Sequence, residues 1–269
     1  MNGAGTSRPS ARALLILFFV TLSLRAIYAA AMHAFAGSDA LKGPDSHAYL
    51  TLARGFAEAV AAGKVEGWAW PGADPSLMPL ISWAQALAVA LAGDHAPLAI
   101  VLAQGVFDAG TCLFVAGIAR LIAPRAALLA GYAAACTPTF IVLSGLVYTD
   151  TLFVFCATAS LYAALRWLDA PAPRWALLMG AALGVAALVR VVIAPWAVAL
   201  FAFLALIVLI RRRGLAPLGH LAAAAAVAAA CLAPVVIRNA ATHGAWSLTP
   251  QGGQHLAYWV LPLVREFAD

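Results

Sequence analysis

Charge is scarce in this sequence. Only 10% of its 269 residues are Asp, Glu, Lys or Arg, and 64% are hydrophobic, whereas a soluble domain carries about 25% charged residues. That shortage excludes an ordinary soluble globule and makes the chain an integral membrane protein. Lysine is scarcer still: Lys42 and Lys64 stand against fourteen arginines. The net charge of +5 does not describe a nucleic-acid surface. The arginines lie singly or in small groups between apolar runs, as topology-setting charge does at membrane edges. Cysteine is limited to Cys112, Cys136, Cys156 and Cys231, all inside apolar runs and none with a CxxC partner. They read as small hydrophobes, with no disulfide and no metal site. No HxxxH or HExxH pattern unites His47, His95, His243 and His255. No internal repeat is visible, and low complexity is confined to alanine, as in Ala222 to Ala226.

What is present is a series of apolar runs. They predict an all-α, polytopic membrane bundle of one domain, with spans at 13–36, 97–119, 126–145, 151–168, 175–190, 195–210 and 216–237. With the N-terminus in the cytoplasm, Arg8, Arg12, Arg120, Arg125, Arg166, Arg174 and Arg211 to Arg213 all fall on the inner side, as the positive-inside rule requires. The loop 37–95 and the tail 238–269 then lie outside. Residues 78–93 are short for a span, which needs about 20 residues. Counting them as one would also invert every later loop, so they read as an interfacial helix with Trp83 and Gln85 near the headgroups. A single helix over 175–210 would be ~54 Å long against a core of ~30 Å. A hairpin breaking near Arg190 to Pro195 fits better, since proline cannot donate to the helix ladder. The first run also has the shape of a signal peptide, but Arg25 interrupts what would be its uncharged core.

The polar residues that remain are few. In the stretch 43–59, GPDSHAYLTLARGFAEA, Asp45 precedes an amphipathic helical pattern that puts Tyr49, Leu52, Ala53, Phe56 and Val60 on one face. Asp45 suits a helix N-cap and equally a general base on the outer face; a capping carboxylate keeps a second oxygen free. Arg190, where two short spans meet, reads either as a snorkelling side chain or as a phosphate ligand. Asp150 opens a span, where it or Thr149 is a cap candidate, and faces the same compartment as Asp45. Arg238 and Asn239 close the last span, where snorkelling is the alternative for the arginine. Tyr49, Asp150, Arg190, Arg238 and Asn239 are the candidate substrate-binding residues beside the candidate base Asp45. The Gly252-Gly253 pair reads as a turn. Arg25 and Asp108 lie ~18 Å and ~16 Å along antiparallel spans, so they are expected to pair at matching depth within the membrane; the alternative is a neutral Asp108 with Arg25 alone lining a cavity.

Four pieces in order resemble the C superfamily of membrane glycosyltransferases, in its protein-mannosyltransferase and aminoarabinose-transferase-like branch. They are the arginine-bearing first span, GPDSHAYLTLAR, LVYTDTLFVF, and PVVIRNAATHGAW followed by a Gly-Gly loop. The resemblance implies transfer of a sugar from a polyprenyl-phosphate donor to an acceptor on the outer face of the cell's inner membrane, with inversion at the anomeric carbon. It places the acidic residue of the first outer loop at Asp45. Many relatives carry Asp-Glu where this chain has Asp45-Ser46, which leaves a divalent metal unsupported and the cofactor unknown. The family's larger span number and C-terminal outer domain imply that residues 1–269 are an N-terminal portion. The rival class is a non-enzymatic lipid-binding or transport protein. Transport favours broken helices, polar groups near the midplane and repeated halves, while here the polar groups gather on one side.

Overall fold

The computed structural model describes residues 9–65, 78–211, 214–251, 253 and 256–261. Among them are ten α-helices and no strand. The first helix, α1 (Ala11–Ala36), starts where the Ser10 hydroxyl accepts the Ala13 N–H (3.1 Å) and stops at Gly37, whose φ of 69° few other residues adopt. A short 3-10 turn, Gly37–Leu41, leads to α2 (Ser46–Ala61). Then α3 (Pro79–Ala92) runs through another 3-10 turn into α4 (Ala96–Ile122). This 44-residue apolar stretch is far too long for a hydrocarbon core of about 30 Å, so part of it must lie beyond the core.

The run expected as one span over 126–145 is broken into α5 (Ala127–Ala135) and α6 (Pro138–Ser144), bent by 53°. Pro138 supplies the cause: it has no N–H to continue the ladder, and it restricts the residue before it to extended geometry. After these come α7 (Asp150–Asp169), α8 (Pro173–Val189), α9 (Ile193–Ile210) and α10 (Ala216–His243). The break between α8 and α9 falls at Arg190 to Val192, not at Pro195. Pro195 sits in the first turn of α9, where its missing N–H leaves no bond unmade.

Among the described residues, five helical stretches are long and apolar enough to cross a membrane, and the bent α5–α6 pair is a sixth when counted as one broken span. The remaining expected span, at 175–190, is α8 with 17 residues, or about 26 Å of helix. The chain is therefore a multi-pass membrane protein. Its helices pack in the order α1–α4–α7–α8–α10, with α5 beside α1 and α4, and α9 against α8 and α10. Small residues permit the closest approach. A Cβ on Gly180 of α8 would lie 2.1 Å from the Ala224 carbonyl oxygen of α10, and one on Gly184 would meet Cys231 Cβ at 2.7 Å. This is the small-xxx-small pattern that lets membrane helices touch backbone to backbone. Phe19, Ile27, Val198, Phe203 and Leu206 are exposed on the outside of the bundle. Their exposure fits a surface solvated by lipid tails.

Candidate active site

The cavity at one end of the bundle is built by two connections that clasp each other. The turn before α2 is closed by the Ser46 hydroxyl, which accepts the Gly43 N–H (2.8 Å) and donates to the Val147 carbonyl (2.7 Å). The Val147 N–H in turn donates to the Leu41 carbonyl (2.9 Å). From below, the buried Gln104 amide donates to the carbonyls of Ser144 (3.1 Å) and Leu146 (2.6 Å). Tyr148 lies so close over Gly43 that a Cβ there would fall 2.0 Å from its hydroxyl. The start of α2 is thereby fixed against the start of α7.

This clasp decides how Asp45 is presented. Asp45 occupies the N-cap position of α2, but its side chain makes no capping hydrogen bond. Its φ of −85° and ψ of −11° are helical rather than extended, and a capping side chain works from the extended region. The carboxylate is exposed and lines a cavity of about 480 Å³ together with Tyr49, Met78, Arg190 and Gln251. Arg190 stands at the C-terminus of α8 and its guanidinium pairs with the Asp150 carboxylate at the start of α7. This pair is open: the two side chains are 44% and 31% exposed. Tyr49 is half-buried, and burial pushes its phenol above the usual tyrosine range. The Asp45 and Asp150 carboxylates push the same way, while a hydrogen bond with Thr149 and the Arg190 charge oppose them. Tyr49 therefore stays a neutral hydrogen-bonding phenol through the physiological range.

Of the expected site residues, Asp45, Tyr49 and Arg190 line one cavity, and Asp150 joins them through Arg190. Arg238 and Asn239 are elsewhere. Both are buried, and neither is among the residues lining this cavity. The Asn239 Oδ1 accepts from Arg238 Nε (3.0 Å) and Nη2 (2.8 Å), and its Nδ2 donates to the Ser247 (2.9 Å) and Leu248 (3.0 Å) carbonyls. Arg25 and Asp108 meet between α1 and α4. Arg25 Nε donates to Asp108 Oδ2 (2.6 Å), and Nη1 donates to the Ala135 carbonyl (2.7 Å) at the end of α5. Sequence reasoning missed Gln251 and Met78. The only signal for Gln251 was its place beside Gly252 and Gly253.

Among the described residues, the donors at this cavity do not suit a divalent ion. Asp150 is paired with Arg190. Ser46 is fully buried with its hydroxyl committed to Gly43 and Val147. No group of three His, Cys, Asp or Glu side chains suited to a metal occurs among the described residues.

The sequence profile of the dolichyl-phosphate-mannose-protein mannosyltransferase family matches residues 74–237, more than half of the chain. The chain belongs to this family. It is a membrane glycosyltransferase of the C superfamily. Neither a curated protein nor a solved structure matches it. Asp150 and Arg190 lie inside the matched segment, while Asp45, Tyr49 and Gln251 lie outside it.

Proposed function

We propose that this glycosyltransferase moves a sugar from a polyprenyl-phosphate donor to a hydroxyl acceptor at the outer face of the cell's inner membrane. The observation that carries the reading is the single cavity lined by Asp45, Tyr49 and Arg190. It sets an uncapped carboxylate and an exposed guanidinium in one space, as acid–base work and phosphate binding each require. Orientation follows from charge. The helix directions put Arg12, Arg120, Arg166, Arg174 and Arg211 at the end away from the cavity. The positive-inside rule assigns that end to the cytoplasm. The N-terminus is then cytoplasmic, and the loop 37–95 and the chain after α10 are outside.

In the proposed reaction, Asp45 takes the proton of the acceptor hydroxyl as its oxygen attacks the anomeric carbon. The bond from that carbon to the phosphate oxygen breaks on the opposite face, so configuration inverts. The electron pair leaves with the polyprenyl phosphate, and Arg190 stabilises the growing charge. An exposed ion pair is worth only about 0–1 kcal/mol, so the Arg190–Asp150 contact is weak enough to yield to an incoming phosphate. Tyr49 donates its phenol hydrogen to the substrate. Asn239, with its amide bonded to the chain itself, acts on the site's shape, and Arg238 holds the Asn239 oxygen. The isoprenoid tail remains in lipid.

The test is reconstitution in vesicles with a labelled polyprenyl-phosphate sugar and a hydroxyl acceptor. Movement of label onto the acceptor is expected. Passage of solute across the vesicle without any transfer would favour the transport reading and overturn this one.

A further inference from the structure

We propose that Gln251 is a specificity-determining residue that reads the sugar hydroxyls of the donor, and that Asn239 is the positioning residue that holds it in place; this rests on the donor reading above. Gly244, in the left-handed region with φ 66°, ends α10 and turns the chain back. The Ala245 N–H then donates to the Asn239 carbonyl (3.3 Å). The Asn239 side chain, 2% exposed, grips the returning segment by the Ser247 and Leu248 carbonyls. Its own oxygen takes two N–H groups of Arg238. With both amide ends engaged, Asn239 has little left to offer a substrate. Three residues beyond Leu248 the segment reaches the cavity, where Gln251 lines the wall. The Gln251 N–H is turned onto the Thr249 hydroxyl (3.2 Å).

Gln251 and Tyr49 are the neutral polar side chains lining the cavity, and Gln251 carries its donor and its acceptor on separate atoms. An ionised Asp45 only accepts and Arg190 only donates, while a carboxamide does both. A sugar hydroxyl also donates and accepts, so a primary amide matches one hydroxyl or a vicinal pair without adding charge. A site that hydrogen-bonds a substrate hydroxyl discriminates strongly against an analogue without it.

The test is equilibrium binding to the protein in vesicles, read without turnover. The probes are bare polyprenyl phosphate, the same lipid carrying a hexose, and its deoxy analogues. The parent protein is expected to bind the hexosyl lipid more tightly than the bare one. Gln251→Ala should remove roughly tenfold of that gain, the worth of about one hydrogen bond, and leave affinity for the bare lipid unchanged. Asn239→Leu should lose the same increment, and combining the two changes should cost no more than either alone. Gln251→Ala is only part-buried and stands on its own if Asn239→Leu fails to fold. A Gln251→Ala protein that keeps the full gain from the sugar, or a parent that shows none, overturns the role. Failure of transfer with binding intact would instead sink the catalytic reading and leave this one standing.

Discussion

Two arginine–aspartate pairs join helices among the described residues, and they differ in everything except chemistry. Arg25–Asp108 is sealed, with side chains 2% and 5% exposed, and its guanidinium also holds the Ala135 carbonyl. Arg190–Asp150 is open, at 44% and 31%, and lies on a cavity. The sealed pair is a structural requirement. An ionised group at a bilayer centre costs about 3 kcal/mol on insertion scales. Arg25 offsets that cost with a counter-charge and with a carbonyl that the α5–α6 break leaves without its helical partner. The open pair is reachable from the cavity, and on the proposed reading Arg190 exchanges Asp150 for the donor phosphate. Burial, not residue identity, separates scaffold from site.

The largest effect should come from breaking the sealed pair. Removing one partner strands a buried charge, so Arg25→Leu or Asp108→Leu should each lower stability by about 3–5 kcal/mol. The double change should cost less than either alone, as measured by thermal or denaturant unfolding in detergent. Two equally mild single variants would erase the contrast.

At the open pair the expected stability change is smaller and the binding change larger. Arg190→Gln should shift stability by no more than about 1 kcal/mol. It should weaken binding of polyprenyl phosphate about tenfold or more, since a hydrogen bond to a charged group is lost. Asp150→Asn, which frees the arginine without removing it, should leave that affinity equal or higher. An Arg190→Gln protein that unfolds readily and binds normally would show that both pairs are scaffold.

Much of this contrast can be read from residue order. Equal depth along antiparallel runs is a one-dimensional property, and it brings Arg25 to Asp108, whose side chains lie 2.6 Å apart. The helical class and most helix positions follow from apolar run length in the same way. The breaks are less legible. Pro138 splits an apolar run that composition alone makes continuous, while Pro195, the more conspicuous breaker, rests harmlessly in a first turn. The cavity is the least legible part. Asp45, Arg190 and Gln251 come from three distant segments, and the Ser46–Val147 clasp and the Asn239 grip help bring them to one space. Those grips use side-chain bonds to backbone carbonyls, which carry no periodicity and no motif. The same blindness hides that the Asn239 amide is engaged at both ends within the fold.

The position of Asp45 separates a cap from a base, and one substitution measures it. Asparagine is as good a helix cap as aspartate but cannot take a proton. Asp45→Asn should keep the thermal stability of the parent and its affinity for a polyprenyl-phosphate sugar, while kcat for sugar transfer falls about 10²-fold or more. Near-parental transfer by the Asn protein would contradict the account and leave Asp45 without a part in the chemistry.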